Sequence, residues 1–557
     1  MSLTPAPSNS ENTVTSVAQA QLPSLTSQFI ARHYPSSVSV VHVHVVNRHG
    51  ERTPGSHIFP GISPKNWNLC AESNSMHAGF QRAVGLLAPG ADATQMQGQS
   101  QGRSQSQSQS QSQGQTPPWR PFMFAYASRD ISGLVGTPGA SASASDGSSA
   151  TKATCGFGQL TDLGRQSMAA LGAHLRSLYV DTLGFLPPAA RQSVDGSPSQ
   201  DLYLRATMYT RTFESLQHVL GGLYPGLEPG SSVFRVNVRP AEHETIFPRS
   251  SCRRMILMFR ELSKKCIALH AAERQQLYAE MRSVPALQKH LDAAGYTPEM
   301  RHMAIPVLDT AVSAYAHGLP LPDAIDSAFL ARLSQAAAVE YLLSAWKSTA
   351  LTRMLIGPLL HEFSANVAAA VEKDRAGRAQ QPKMAIYSAH DTTLAPLLAT
   401  FGSSADSAET VTPAAAALPS EMLWPPFASS IRIELLKDSQ SPYPPVRPAW
   451  EDDQKDYSQD ASLIPFDNRV RPVNVPKSLY RWSHATKDEA AERNPRATRD
   501  YYVRVWYNDR ALQLPTCRDP GAHHTRLGSS VCTLDGFFKQ IARFVPSKKE
   551  AVLECLD

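Results

Sequence analysis

The seven residues at 48–54 place one imidazole between two guanidinium groups. They read Arg48-His49-Gly50-Glu51-Arg52-Thr53-Pro54 and directly follow an apolar, strand-like stretch at residues 38–46. Strand ends in α/β sheets are where ligands and reacting groups gather. Two arginines beside a glycine turn form a fork suited to a phosphate-like oxyanion, and an imidazole inside that fork can attack phosphorus. The run therefore predicts a phosphate site with His49 as nucleophile, the alternative being an ordinary surface turn.

A second segment adds a third arginine to this site. Residues 202–204 are predicted as a short strand, Thr207 as the N-cap of a helix that runs on to Gly221-Gly222, and Arg211 as a residue of the first or second turn. Backbone donors and the helix dipole favour anions at a helix N-terminus. We therefore predict that Arg211 binds phosphate, although an arginine in this position is more commonly a solvated surface residue.

The third segment ends an apolar strand in a histidine and an aspartate. Residues 384–388 are predicted as the strand, Ala389-His390-Asp391 follow, and a helix then runs to near Gly402. His390 can donate to a phosphate oxygen, and Asp391 can protonate a leaving alkoxide as general acid, or can simply cap the helix. A His-Asp pair also occurs in metal-dependent phosphohydrolases. No convincing set of further ligands accompanies this pair, so we predict no metal and no cofactor.

Together the three segments resemble the histidine acid phosphatase family, branch 2 of the histidine phosphatase superfamily. The resemblance lies in Arg-His-Gly-x-Arg-x-Pro, then Arg-Thr-x-x-Ser ahead of Gly-Leu-Tyr-Pro, then His-Asp, and it spans about residues 38–540. Further stretches sharpen the resemblance: residues 158–161, which open a helix through 171–176, then 308–309 with 316–320, then 424–427. The last few of these are similar to the lysophosphatidic acid phosphatase type 6 branch rather than to secreted phytases.

The resemblance implies a two-step reaction. His49 would become a phosphohistidine, Asp391 would protonate the leaving group, and water would then attack the phosphohistidine. The phosphoryl oxygens would be held by Arg48, Arg52, Arg211 and His390. Three guanidiniums supply the positioning and charge neutralisation that phosphoryl transfer needs, without a metal. The implied enzyme is an acid phosphatase, a phosphoric monoester hydrolase, whose partner is a small phosphate ester; lysophosphatidic acid or a related lysophospholipid is the candidate.

Two alternatives to this function stay open. A phytase or inositol-polyphosphate phosphatase on the same fold would need extra Lys and Arg around the pocket, which the sequence does not locate. A non-catalytic phosphate-binding relative is the other, against which the intact His49, His390 and Asp391 argue. Asp309 and His317 match the branch pattern and are candidates for the pocket, a structural role for Asp309 being equally favoured. The oligomeric state is not predicted.

The resemblance also implies the fold class. We expect an α/β fold of the phosphoglycerate mutase type, with a mixed central sheet, helices on both faces and a smaller helical subdomain. The predicted layout is a disordered lead at 1–36, the phosphatase core at 37–250 and 351–557 with low-complexity insertions near 88–155 and 438–500, and the helical subdomain at 251–350. Residues 431–435 and 501–507 are predicted to pair as a hairpin across the second insertion.

Composition excludes several other classes. The chain has 557 residues, 42% of them hydrophobic, enough for one large or two moderate domains. A formal charge of +5 and a pI near 8.7 are too mild and too scattered for nucleic-acid binding. We predict no transmembrane segment. The first 36 residues lack both a signal-like apolar run and the arginines of a mitochondrial leader, so we expect a cytoplasmic protein, with a mitochondrial address as the alternative.

Cysteines and stray histidines give weaker expectations. Seven cysteines are sparse and odd in number for so long a chain, which favours a reducing compartment. Cys517 and Cys532 flank a turn-rich loop and could pair, but free thiols are expected. His42 and His44 share one face of a strand where a metal could bridge them. Packed or surface histidines are favoured instead, because a lone pair lacks further ligands.

Overall fold

The computed structural model describes the chain in eight ranges, with short gaps inside some of them. These are residues 20–71, 154–190, 199–225, 234–249, 252–378, 382–402, 424–440 and 500–546. The predicted insertions near 88–155 and 438–500, including the Gln/Ser-rich tract at 95–115, lie almost entirely outside the described residues.

The strands of the described ranges form one nine-stranded mixed sheet. They are β1 (Val38–Arg48), β2 (Leu202–Ala206), β3 (Val236–Asn237), β4 (Met384–Ala389), β5 (Ser430–Asp438), β6 (Tyr501–Tyr507), β7 (Arg510–Ala511), β8 (His523–His524) and β9 (Gly528–Thr533). The order is β3-β2-β4-β1-β5-β6-β9-β8, with β7 beside β6. Because β2, β4 and β1 run parallel, the three motif-bearing strand ends meet at one edge. The predicted hairpin is confirmed, since β5 and β6 pair antiparallel.

Eleven α-helices accompany the sheet in the part of the chain that the structure describes. They are α1 (Ser27–His33), α2 (Asp162–Arg176), α3 (Thr210–Leu223), α4 (Arg253–Leu269), α5 (Ala271–Ser283), α6 (Pro285–Ala293), α7 (Ala304–Ala316), α8 (Ser327–Trp346), α9 (Thr349–Arg375), α10 (Asp391–Gly402) and α11 (Leu534–Ala542). The side chain of Thr161 caps the start of α2 by accepting from Gly164 N, as expected of a threonine at that position.

The sheet buries both of its faces, which confirms the predicted α/β class. On one face, side chains of α9, α10 and α11 pack against apolar residues of β4, β5 and β6, with Phe363, Leu394 and Phe537 at the centre. On the other face, α1, α2 and α3 pack against β1, β2 and β4. Strands buried on both sides carry near-continuous apolar runs, and this is the pattern seen in β4, whose six residues are all buried.

The helices α4 to α8 lie within the segment predicted as a helical subdomain and form a core of their own. Its centre is made by apolar side chains such as Leu287, Val307 and Leu333. Phe59 and Ile62, from the loop that follows the Arg-His-Gly run, are inserted into the same core. The helical segment therefore packs directly on the loop that leaves the phosphate motif.

Two local predictions were wrong. Residues 27–33, placed in the disordered lead, form α1, which Thr26 caps through a 3.1 Å bond from Phe29 N and which packs Phe29 against Trp506. The polar bias of the flanking sequence hides this short amphipathic stretch. Thr207 does not cap α3: the helix begins at Thr210 after Tyr209, and the Thr207 hydroxyl contacts Thr212 and His390 instead.

The expectation of free thiols at Cys517 and Cys532 was also wrong. These two residues form a disulfide, as do Cys70 and Cys155, and Cys252 is disulfide-bonded as well. Cys266 is a buried free thiol. Cys517 and Cys532 pair across the turn-rich loop that they flank, whereas Cys70 and Cys155 are 85 residues apart along the chain. These disulfides remove the argument from sparse cysteines for a reducing compartment.

One helix of the described chain, α9, is long and apolar enough to span a membrane. It has 27 residues, and 67% of its most apolar window is buried inside the protein. Its apolar side chains Ile356, Leu359 and Phe363 pack against the sheet. This burial is that of a core helix.

Candidate active site

His49 lies at the carboxyl edge of the sheet, immediately after β1. Its backbone N–H donates to Ala389 O at 3.1 Å, so the parallel pairing of β1 and β4 brings His49 and His390 side by side, with ring centroids 5.5 Å apart. Gly50 follows, and a Cβ there would collide with the Gly164 carbonyl of α2. Glycine is therefore required at this position by the close approach of α2 to the turn.

The hydrogen bond of His49 determines which ring nitrogen is free. Nδ1 lies 2.9 Å from Gly50 O, and a carbonyl oxygen can only accept, so Nδ1 carries the proton. Nε2 then holds the lone pair. Burial, followed by the charges of Arg211, Arg48 and Arg52, lowers the pKa of His49 well below 6.5. The imidazole is consequently neutral at mildly acidic pH, with its Nε2 lone pair available for attack.

The three predicted arginines are brought together around His49. Arg48 ends β1, Arg52 follows the turn, and Arg211 is the second residue of α3. Ser215, one turn along α3, accepts a 3.2 Å bond from Gly50 N and so ties the helix to the turn. The Nε atoms of all three arginines are buried and without a hydrogen-bond partner. Buried unpaired donors are costly, so three of them around one imidazole indicate a site for an anion.

Arg48 and Asp391 form an ion pair across the site. Arg48 Nη2 lies 2.8 Å from Asp391 Oδ2, and Arg48 Nη1 donates to Pro425 O at 2.6 Å. Trp424 Nε1 also donates to Asp391 Oδ2, at 3.1 Å, and Thr392 N donates to Oδ1, at 2.8 Å. Asp391 is the first residue of α10 and bonds the backbone there, but it also faces the arginine cluster, so its position fits both of the roles considered for it.

The ring of His390, the fourth predicted phosphate ligand, has a hydroxyl group as its hydrogen-bond partner. Its Nε2 lies 2.8 Å from Thr207 Oγ1, and Tyr209 and Phe247 stand edge-on to its ring with centroids 5.0 and 4.9 Å away. Burial, then the charges of Arg211, Arg52 and Arg48, lowers the pKa of His390 well below 6.5. His390 is therefore a neutral donor or acceptor here, held by Thr207.

Sequence reasoning misses three contributors to this site. Thr207 is predicted only as a helix cap, and Trp424 and Phe427 enter only as part of a branch resemblance. Phe427 covers the guanidinium of Arg48, with its ring centroid 4.3 Å from Cζ. A strand end followed by a hydroxyl is a usable signal for Thr207, whereas the residues at 424–427 come from a distant segment and carry no local signal.

The two histidines of β1 are packed, and a histidine of β8 is hydrogen-bonded. His42 Nδ1 lies 3.0 Å from Pro382 O, and the rings of His42 and His44 are buried with centroids 4.6 Å apart. His524 Nε2 instead bonds Asp438 Oδ2 at 3.1 Å. Within the described ranges, no group of three or more His, Cys, Asp or Glu residues is arranged to hold a metal ion.

Comparison with known families agrees with this geometry. The model of the histidine phosphatase superfamily, branch 2, matches residues 39–457. The chain belongs to this family. The match extends from β1 past the His390-Asp391 pair and β5, and so includes all three motifs. The family predicted from the sequence is thereby confirmed.

Individual relatives differ in how much of the chain they cover. An acid phosphatase, named as probable, of Schizosaccharomyces pombe (strain 972 / ATCC 24843) is 25% identical over 521 residues, 92% of this chain and 92% of the relative. Human testicular acid phosphatase is 32% identical over 257 residues, 44% of this chain and 55% of its own length. Human lysophosphatidic acid phosphatase type 6 is 27% identical over 288 residues, which are 51% of this chain and 58% of its own length. The alignments with the two human proteins thus span little more than half of each.

Proposed function

We propose that this chain hydrolyses phosphate monoesters through a phosphohistidine formed on His49. The observation that carries the proposal is the neutral Nε2 of His49 beside three guanidiniums whose Nε–H groups are buried and unpartnered. Membership of a phosphatase family and the names of the relatives confirm the predicted class, a phosphoric monoester hydrolase. The roles of individual residues below are part of the proposal.

In the first step, Nε2 of His49 attacks phosphorus from the side opposite the leaving oxygen. The P–N bond forms as the P–O bond to the alcohol breaks, and Asp391 transfers its proton to the departing alkoxide. The arginines stabilise the charge on the three phosphoryl oxygens without moving, which is the kind of preorganised electrostatic stabilisation that phosphoryl transfer requires. His390, fixed by Thr207 at 2.8 Å, contacts the same oxygens.

In the second step, water occupies the place of the departed alcohol. The Asp391 carboxylate takes a proton from that water as its oxygen attacks phosphorus, and the P–N bond breaks. Nε2 of His49 recovers its electron pair, and inorganic phosphate remains among the arginines until it dissociates. The enzyme is then back in its starting protonation state, and one ester and one water have become one alcohol and one phosphate.

The ion pair between Arg48 and Asp391 links the proposed acid to the phosphate site. A protonated Asp391 cannot hold Arg48 by charge, so the proton needed for acid catalysis also releases one Nη2 donor of Arg48 for the substrate. A protonated Asp391 therefore serves both as the acid and as a group that no longer competes with the substrate for Arg48. The pKa of His49 is lowered well below 6.5 by burial and by the charges of the arginines, which keeps the nucleophile neutral beside that acid.

The rim of the site supports an ester with an apolar group. Phe157 is 66% exposed and Tyr209 is 39% exposed. Phe157 precedes Gly158, which has a positive φ and faces Arg211, and Tyr209 lies under Arg211 with its ring 4.6 Å from Cζ. The ring of Tyr209 against Arg211, with an exposed phenyl group at the residue next to Gly158, suits an acyl or aryl group better than a polyphosphorylated ring. We therefore propose a lysophosphatidic acid-like lipid phosphate as the substrate class.

A panel of esters tests both the proposed reaction and the proposed substrate class. Lysophosphatidic acid, glycerol 3-phosphate, p-nitrophenyl phosphate and phytate would be compared at equal concentration, with His49→Ala as the blank. We expect turnover of all simple monoesters by the parent and the highest kcat/KM on the lipid phosphate. Preference for phytate would replace the lipid assignment, and turnover by His49→Ala equal to the parent would overturn the proposed mechanism.

A further inference from the structure

A carboxylate of the helical segment reaches into the phosphate site. Asp309, in the middle of α7, lies with Oδ1 2.8 Å from Arg52 Nη2 and Oδ2 3.3 Å from Arg52 Nη1. Asp309 Oδ2 also accepts a 2.7 Å bond from Gly55 N. One side chain from a segment 257 residues away along the chain therefore fixes both the guanidinium and the backbone of the same loop.

The donors of Arg52 show what this contact leaves available. A guanidinium has five N–H donors. Nη1 uses one for Asp309 and one for Thr53 O, at 2.9 Å, and Nη2 uses one for Asp309. The second N–H of Nη2 and the N–H of Nε, which has no partner, remain on the adjacent edge of the guanidinium. Two parallel donors on one edge form the fork that binds a phosphate bidentately.

We propose that Asp309 is a positioning residue for the phosphoryl group, holding the outer edge of Arg52 so that its Nε/Nη2 edge faces the substrate. This inference rests on the proposed function and adds the residue through which the helical segment acts on the reaction. Asp309 contacts Arg52, not the substrate, so its effect is on the geometry of the phosphate cradle.

Two other roles for Asp309 would require a different contact with Arg52. A carboxylate that competed with phosphate would occupy the same edge of Arg52, whereas Asp309 occupies a different one. A purely structural tie would not need to leave any donor of Arg52 unpaired. Burial would raise the pKa of Asp309, but the charge and hydrogen bonds of Arg52 and the bond from Gly55 N outweigh it and lower the pKa. The carboxylate is thus ionised, and its pairing with Arg52 persists, throughout the mildly acidic range.

A second contact, at the end of α7, restrains the position of Asp309. His317, just after the helix, lies with Nε2 2.8 Å from Thr161 Oγ1, and its Nδ1 lies 2.7 Å from Ser313 O. Thr161 is the cap of α2, and its N–H donates to Glu51 O at 3.0 Å. The helix is therefore fastened to the Arg-His-Gly turn at two points, which restricts the position of the Asp309 carboxylate.

Phosphate binding measured by calorimetry, together with steady-state kinetics, tests the proposal. Asp309→Asn keeps the shape and removes the charge. We expect inorganic phosphate to bind roughly 10- to 100-fold more weakly and kcat/KM on p-nitrophenyl phosphate to fall by a similar factor. The matched control is Asp292→Asn, which breaks the exposed pair of Arg282 and Asp292 in the same segment and should change neither quantity.

A double-mutant cycle separates positioning from general stability. In an Arg52→Ala background, Asp309→Asn should cause no further loss of phosphate affinity. Tighter phosphate binding by Asp309→Asn would establish competition instead, and unchanged binding or an equal loss without Arg52 would overturn the positioning role. Because binding is measured without turnover, these results decide the role of Asp309 even if the parent fails to hydrolyse any ester, which would sink only the proposed function.

If Asp309→Asn does not fold, Arg52→Lys can be used to test the proposal instead. A lysine keeps the charge and can pair with Asp309 but has no second edge for phosphate. Phosphate affinity should fall by about the same 10- to 100-fold factor. Affinity equal to that of the parent would show that charge alone, without an oriented edge, is what the site uses, and the proposal would be wrong.

Discussion

Replacing Asp391 by asparagine should separate substrates by the quality of their leaving groups. Asparagine keeps the volume and an acceptor oxygen for Trp424 Nε1, which lies 3.1 Å from Asp391 Oδ2, but has no proton to give. An alkoxide such as that of glycerol must be protonated as the P–O bond breaks, whereas p-nitrophenolate is stable as an anion. The loss should therefore appear on the first class of ester and be small on the second.

The expected magnitude follows from the role of the proton. General acid catalysis contributes about 10²–10⁴-fold, which corresponds to roughly 3–5 kcal/mol of transition-state stabilisation. The ion pair of Asp391 with Arg48, 2.8 Å in length, opposes this loss in part, because asparagine no longer holds Arg48 by charge and leaves more of its donors for the substrate. A decrease of about 10²–10³-fold on glycerol 3-phosphate is therefore expected, with less than roughly a tenfold change on p-nitrophenyl phosphate.

The assay is kcat/KM for both esters on the parent and on Asp391→Asn, across the acidic range. A matched variant, Trp424→Phe, removes the indole donor to Asp391 while leaving the carboxyl group, and it should not change the ratio between the two esters by more than a fewfold factor. Equal losses on both esters in Asp391→Asn would refute the reasoning. Asp391 would then act by positioning Arg48 or by starting α10, and the proton would come from another group.

Three further predictions concern pH, metals and the insertions. Because the neutral imidazole is the nucleophile and the pKa of His49 is lowered well below 6.5, activity is lost only as pH falls through that lowered value; the acid limb of kcat/KM assigned to His49 should lie well below 6.5, and a limb at or above 6.5 would contradict the burial of His49. Activity should survive excess EDTA and be inhibited competitively by vanadate, since the phosphate ligands are arginines; inactivation by EDTA that Mn²⁺ or Zn²⁺ reverses would favour a metal-dependent reaction. Deleting residues 95–115 should leave kcat and Tm nearly unchanged, because long polar loops cost little to shorten; a collapse of kcat/KM on the preferred ester would place the tract in the binding surface.

The motifs at strand ends are predictable because their physics is local. A buried apolar strand followed by a glycine turn, and an apolar strand followed by His-Asp, are sufficient to assign His49 and His390 to a sheet edge. Parallel pairing of β1 and β4 then follows from the fold class, and the structure places the two rings 5.5 Å apart. The paired strands β5 and β6 are predictable for the same reason, since each carries its own apolar pattern.

Contacts between distant segments are not predictable from one sequence. Asp309 meets Arg52, and Trp424 meets Asp391, only because the helical segment and the residues at 424–427 pack around the sheet edge. Their own stretches carry a family resemblance, but neither stretch indicates which side chain of the site Asp309 or Trp424 contacts. The disulfide of Cys70 with Cys155 is the same kind of contact, and the number and spacing of cysteines favour the opposite expectation.

The helix α1 illustrates a third limit. Composition at residues 1–36 is dominated by small polar residues, so the average predicts disorder. In the structure a short helix forms there, because Thr26 caps its first turn and Phe29 packs against Trp506. Averages over a window lose such short elements, whose stability depends on tertiary packing more than on propensity.

A covalent phosphoryl group on His49 is the intermediate on which the mechanism depends. The most direct measurement is rapid quenching of the enzyme in alkaline denaturant during turnover of a ³²P-labelled ester, followed by peptide mapping, because phosphohistidine survives alkali and is hydrolysed by acid. Label on the peptide that contains His49, stable to alkali, labile to acid and absent from His49→Ala, is the predicted result. Acid-stable label on a serine, label on Asp391, or turnover by the parent with no label on any peptide would contradict a phosphohistidine mechanism.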